Sequence, residues 1–259
     1  MQMKKYLLLL FPIIAVFSFS ACDNNSPYSQ YTDAYQRIWE ADSFITAIVE
    51  TDSQATTMPD DTVEINTSRA EMTTQLVHGK EGYITISDTT IATEGEDSIS
   101  FKTYYRDGWL YSQDNNNPEN NFRQRQDDEF ASKIAIEGVI EFPKDTIAKQ
   151  TAEETEEGTL LTFELDSTKY YEYIYPVSSD EYTYGEFSYY REPPLYTVLL
   201  DEQGRIKQVT GHFCTVNSDW QAFTWERDYT VTFNQYGGVQ LAFPELSDDD
   251  FPLYPDSFM

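Results

Sequence analysis

The chain offers few side chains that can do covalent or metal chemistry: two histidines, two cysteines and many carboxylates. His212 and Cys214 lie two residues apart in a β-patterned stretch, so they share one face of a strand. A zinc ion would want both together with carboxylates. Structural zinc needs four ligands, and no spacing here supplies them. The pair therefore reads as two ordinary side chains of a β-face, with Cys214 a buried, inert thiol. His78 sits beside the Gly79–Gly82 turn and reads as solvated. Gln113-Asp114-Asn115-Asn116-Asn117-Pro118-Glu119 is rich in oxygen ligands, but Pro118 falls where the calcium-loop template needs a ligand. A surface loop built on Asx turns accounts for it better. Asp248-Asp249-Asp250 reads as a solvated tail. Acidic pairs recur throughout so acidic a chain and therefore point to no particular general acid or base. There is no G-x-S-x-G, no H-E-x-x-H and no glycine-rich phosphate loop. The residues assign no catalytic group, no metal and no cofactor, and the chain does not read as an enzyme.

The remaining chemical feature is Cys22. Lys4 and Lys5 precede an apolar run from Tyr6 to Phe17, and Ser18 to Ala21 lead into the cysteine. This is the layout of a secretory signal peptide over residues 1–21, too short and too small-residue-ended for a stable membrane span. Phe19-Ser20-Ala21-Cys22 resembles the bacterial lipobox, with Phe where Leu is commoner. The resemblance implies that Cys22 is diacylated on sulfur and begins the mature chain, anchoring it extracytoplasmically in the cell envelope. The plainer alternative is a signal peptide cleaved nearby that leaves Cys22 free. Residues 22–27 then form a short polar tether.

Charge narrows the partners. The formal net charge is −28, and loss of Lys4 and Lys5 takes 17 basic side chains to 15 against 45 acidic ones, a net charge of −30. Such a surface repels nucleic acid and anionic headgroups, which excludes nucleic-acid binding. Twenty Tyr, 16 Phe and 4 Trp exceed what a helical bundle needs; with abundant Thr they favour strands and argue against disorder. Apart from Cys22 the chain holds one cysteine, so no internal disulfide supports the exported part.

Elements that would position these residues follow from periodicity. Ser26-Pro27 starts a helix, and Tyr31, Tyr35, Ile38 and Trp39 give its apolar stripe. Ile45, Ala47 and Val49 alternate as a strand. Val63 to His78 does so again, with Ala70, Met72 and Leu76 on one side. Tyr105-Arg106-Asp107-Gly108-Trp109-Leu110-Tyr111 reads as strand, Asp-Gly turn, strand. Asp127-Asp128 begins a second helix with Phe130, Ala131, Ile134 and Ala135 as its stripe, and Asp166-Ser167 caps a short third. Residues 147–154 are ambiguous between strand and weak helix; a strand is preferred. Strands are expected over Tyr182–Arg191, Leu195–Leu200, Arg205–Val216 and Ala222–Asn234, with a closing strand at Val239–Pro244 and a frayed acidic tail over 247–259. No linker divides residues 28–246, which read as one domain. The expected fold class is α+β: a long curved antiparallel sheet of about ten strands, a half-barrel, with helices on its concave side.

This pattern resembles the LolA/LppX-like superfamily of bacterial lipoproteins and lipoprotein carriers. The likeness rests on the lipobox followed by the amphipathic helix and Ser43-Phe44-Ile45, on Tyr105 to Tyr111, and on Thr197 to Ile206 with the strands after it. It implies an unclosed β-barrel whose helices plug the open side over an apolar cavity, and a ligand such as a lipid or a lipidated molecule. Aromatics on both faces of 170–175 and 182–190 would then wall the cavity and its mouth. The candidate lining residues are Tyr105, Trp109, Tyr182, Tyr184, Phe223, Trp225 and Tyr229. Arg227, on the face of Trp225 and Tyr229, keeps that face from being wholly apolar. The alternative is a surface adhesion, sensing or assembly protein that meets a protein or glycan through exposed aromatics and has no ligand cavity.

Overall fold

A computed structural model of the protein describes residues 26–58, 60–79, 82–174, 188–217 and 223–254. In chain order it runs α1 (Pro27–Glu40), β1 (Ser43–Thr57), β2 (Val63–His78), β3 (Tyr83–Thr93), β4 (Ile99–Arg106), β5 (Trp109–Asp114), β6 (Phe122–Arg125) and α2 (Asp128–Ala135). It continues with β7 (Ile147–Thr155), β8 (Gly158–Leu165), α3 (Ser167–Ile174), β9 (Ser188–Tyr190), β10 (Leu195–Leu200), β11 (Ile206–Asn217) and β12 (Phe223–Tyr236). All pairings between these strands are antiparallel. They form one twelve-stranded sheet in the order β6-β5-β4-β3-β2-β1-β12-β11-β10-β8-β7, with β9 added on β11. Two meanders, one from each half of the chain, are thus joined where β1 pairs β12, and the edges β6 and β7 leave the barrel open. The α+β half-barrel is as expected, with two strands more than the rough count of ten.

Local chemistry explains the elements. The Ser26 hydroxyl accepts from the Ser29 N–H at 3.1 Å and Pro27 follows, starting α1 where its unpaired N–H groups need a cap. Asp127 caps α2 at the Phe130 N–H, and Asp166 caps α3 at the Thr168 and Lys169 N–H groups. The β4–β5 hairpin turns through Asp107 and Gly108, both at positive φ, as its Asp-Gly signal requires. The 113–121 loop is an Asx-turn structure: Asp114 accepts from the Asn116 and Asn117 N–H groups and from the Asn120 side chain.

α1 buries Tyr31, Ala34 and Ile38 against Phe142, Phe163 and Tyr196 on the concave side. There Tyr31 donates to the Ile140 carbonyl, so the 3.1 Å contact between the Tyr31 and Tyr196 hydroxyls is a bond that Tyr196 donates. Tyr196 accepts in turn from the Ile140 N–H at 3.1 Å. Two buried phenols therefore satisfy both polar groups of one residue in the irregular stretch after α2. That stretch is pinned to the sheet without secondary structure of its own.

The β1 strand is as expected, its buried side is decided by the fold, and two expectations further along the chain are corrected. In β1 the residues facing the helices are Phe44, Thr46 and Ile48, while Ile45, Ala47 and Val49 point the other way and are half-buried. Thr46 can be buried because its hydroxyl donates to the Ala135 carbonyl at the end of α2. No strand closes the fold at 239–244: Gly237 and Gly238 both adopt positive φ and turn the chain off the sheet. The acidic tail is not frayed through Tyr254. It crosses the convex face, where Phe243 meets Tyr104 and Arg106, Phe251 is buried against Tyr111, and Arg123 exchanges backbone bonds with Pro252 and Tyr254.

Candidate functional site

A cavity of about 200 Å³ lies between α3, the stretch after α2 and the concave face of β1, β11 and β12. Cross-strand register builds its floor. Asp52 of β1 pairs Arg227 of β12, Glu50 pairs Tyr229, and on the other side Gly211, Phe213 and Thr215 of β11 pair Tyr229, Arg227 and Trp225. Strand alternation then points Glu50, Asp52, Arg227, Trp225 and Phe213 to the same side. Tyr170 and Ile174 from α3, Ile140 and Glu137 from the stretch after α2, and Tyr190 from β9 complete the walls.

Tyr229 is the most constrained of these residues. It is 6 % exposed, and its ring stacks on Phe213 with centroids 5.9 Å apart. A Cβ added at Gly211 would come within 2.3 Å of the ring, and one at Gly138 within 3.0 Å. Both glycines therefore leave the room the phenol occupies, and Gly138 also takes a positive φ of 85°. Among the described residues the buried Tyr229 hydroxyl has no hydrogen-bond partner, and the Trp225 indole N–H is likewise unpartnered. Such groups are rare in protein interiors because each forfeits its hydration without return.

Among the described residues one guanidinium stands on the cavity wall, and it is already held. Arg227 donates from Nε to Asp52 at 2.9 Å and from Nη2 to Asp52 at 3.3 Å, and its Nη2 lies 3.2 Å from Glu50. Its face covers the Trp225 ring at 4.5 Å. Burial pushes the Glu50 carboxyl up to about 7; the guanidinium pulls the other way, and Asp52 and Glu137 add to the rise. The concave interior thus contains charge, contrary to a wholly apolar half-barrel, and it tolerates this because the charges are paired.

The candidate lining residues separate on this map. Trp225 and Tyr229 line the cavity. Phe223 lies on the same face of β12, two residues beyond Trp225, and is not on the cavity wall. Tyr105 is 2 % exposed in a separate small core with Leu110 and Ala131, and its hydroxyl donates to Asp128 at 2.7 Å, anchoring α2. Trp109 is excluded by the hairpin register: Tyr105 pairs Leu110, so Trp109 faces the convex side, between Arg123 and Arg125. Tyr182, Tyr184 and Cys22 lie outside the described residues. Glu50, Glu137 and Phe213 were not singled out from sequence. A carboxylate at Glu50, on the side of β1 that carries Phe44 and Ile48, was the available signal.

On the convex side His212 and Cys214 share a face, but Cys214 is 3 % exposed and burial pushes its thiol up. What converges with His212 is two carboxylates, Glu226 and Asp228, whose ligand atoms and those of the imidazole lie within 4.8 Å of one another. These are the side chains that could hold a divalent cation. Here the imidazole is engaged by Asp228 at 2.8 Å, a bond that raises its pKa.

No family model matches the chain, and no curated protein matches it. Solved structures do. A LolA superfamily protein from Nitrosomonas europaea is 11% identical with a TM-score of 0.24, over 88% of this chain and 97% of that one. A DUF1329 family protein from Desulfovibrio piger is 10% identical with a TM-score of 0.25, over 88% and 97%. DynF, from the dynemicin biosynthesis pathway of Micromonospora chersina, is 10% identical with a TM-score of 0.21, over 76% and 81%. The likeness to the LolA superfamily and DUF1329 proteins is one of fold alone, and the chemistry of the cavity has to carry any reading of function. Among the described residues no helix is long and apolar enough to cross a membrane.

Proposed function

We propose that the chain is an exported lipoprotein, tethered to the cell envelope through lipid on Cys22, whose half-barrel binds an apolar ligand between α3 and the sheet. The observation that carries this reading is the cavity between α3 and the sheet, walled by the rings of Tyr170, Tyr190, Phe213, Trp225 and Tyr229. An apolar body suits the walls. Volume limits the occupant. Pockets for drug-sized molecules run to roughly 300–1,000 Å³, so a cavity of about 200 Å³ suits one apolar arm or the end of an acyl chain rather than a whole lipid. Recognition of a protein or glycan through exposed aromatics is less well supported, because the faces of Trp109 and Trp225 are already covered by arginines.

Native mass spectrometry of the protein purified from cells, before and after organic-solvent extraction, tests the binding. A removable mass identified as an amphiphile is the expected result. A single apo mass, unchanged after incubation with cell lipids, overturns it. Metabolic labelling with radioactive palmitate tests the anchor: label should enter the wild type and be absent from Cys22→Ser.

A further inference from the structure

The cavity's charges set the sign of what it can hold. Among the described residues three carboxylates stand at or beside it, those of Glu50, Asp52 and Glu137, against the single guanidinium of Arg227. That guanidinium is already charge-paired: Asp52 accepts from Nε and Nη2, Glu50 lies against the same Nη2, and Trp225 covers its face. An anionic headgroup entering here would find no free cation among the described lining residues and would meet Glu50 and Glu137. A cationic headgroup would meet the reverse. Glu50 and Glu137 would face it, and Tyr170, Tyr190, Phe213 and Tyr229 would offer ring faces or edges. A buried carboxyl that lacks enough positive charge nearby gains most from an added cation. The chain's net charge of −28 would also raise the local concentration of cations at any mouth of the cavity.

We propose that the cavity selects amphiphiles by the sign of the head: it takes an apolar chain bearing an ammonium group and rejects the carboxylate of the same length. The inference rests on the apolar-ligand reading above and adds to it the class of ligand, an alkylammonium or other amine-bearing amphiphile.

The test uses the full chain at pH 8, where Glu50 is ionised, and three soluble probes with one tail, decylammonium, decanol and decanoate, titrated calorimetrically below their micelle-forming concentrations. Decylammonium should bind about tenfold tighter than decanol, an increment on the scale of one desolvated cation–π contact, and decanoate should bind more weakly than decanol. Added salt should weaken decylammonium and leave decanol unchanged. Glu50→Gln should shrink the gap between decylammonium and decanol. Should that variant fold poorly, Glu137→Gln, at an exposed position, should shrink it too. Equal binding of all three probes, or tightest binding of decanoate, overturns the sign inference and leaves the apolar-ligand reading standing. Binding of none of them overturns both.

Discussion

Replacing Gly211 by Ala tests the packing that holds Tyr229 in place. Gly211 sits directly across the β11–β12 pair from Tyr229, and its φ is not one that demands glycine. The cost of the change is therefore steric. The added Cβ would stand 2.3 Å from Cζ and 2.5 Å from Cε1 and Oη of Tyr229, where unstrained carbon contacts begin about 1 Å further out. Phe213 stacks on one face of the ring and Gly138 lies close to another part of it, so the free path leads into the cavity. Overpacking of this kind costs about 1–3 kcal/mol. Ala in a strand recovers about 0.5 kcal/mol of the entropy glycine loses. The net expectation is a loss of about 1–2 kcal/mol in urea unfolding, together with weaker ligand binding as the ring moves into the ligand's space. The control is the same substitution in a Tyr229→Ala background, which by itself costs about 3–5 kcal/mol. With the ring gone, Gly211→Ala should be neutral or slightly stabilising, and the double-mutant cycle should return a coupling of the size of the original loss. A wild-type loss below about 0.5 kcal/mol, or the same loss in both backgrounds, would refute the reasoning.

Tyr229→Phe removes a buried hydroxyl that has no partner among the described residues, so the protein should gain about 1 kcal/mol in chemical unfolding; a loss of stability would show that the hydroxyl is satisfied. Tyr196→Phe leaves the Ile140 N–H without its acceptor and should cost about 1–3 kcal/mol by the same assay, and Tyr31→Phe should carry a cost of its own because it takes the donor from the Ile140 carbonyl. The Glu50 carboxyl, raised by burial from 4.5 to about 7, holds a proton in the folded chain that the unfolded chain releases. Its contribution is thus complete below the lower value and is lost as pH climbs through the window to about 7, with a slope of up to about 1.4 kcal/mol per pH unit. The stability difference between wild type and Glu50→Gln should accordingly fall across that window and level off above it; a flat or rising difference would contradict the assignment.

Much of the architecture is written in local sequence because local chemistry alone produces it. Ser26-Pro27, Asp127 and Asp166 cap their helices wherever those helices end up. Asp107-Gly108 makes the same hairpin in any sheet, and the alternation of β2 and β12 gives strands with one buried side. What local sequence leaves open has a common cause. Alternation marks β1 as a strand, but that the side of Phe44, Thr46 and Ile48 is the buried one depends on Thr46 being satisfied by a carbonyl 89 residues away. The acidic tail has the composition of a solvated one, yet Phe243 and Phe251 find Tyr104, Tyr111 and Arg106 on the convex face.

The cavity divides in the same way. That Trp225, Arg227 and Tyr229 share a side follows from the two-residue repeat of a strand and needs no fold. That Glu50 and Asp52 lie beside them depends on the register between β1 and β12, elements some 180 residues apart, and register is chosen by the whole sheet. That Tyr105 and Trp109 belong elsewhere is likewise a tertiary matter, because one hairpin puts them on opposite faces and α2 covers one of them. Sequence alone determined which side chains travel together along each strand, since covalent spacing sets that. Only the folded sheet decided which strands are neighbours, and hence that a tyrosine, an arginine and two carboxylates meet around one small cavity.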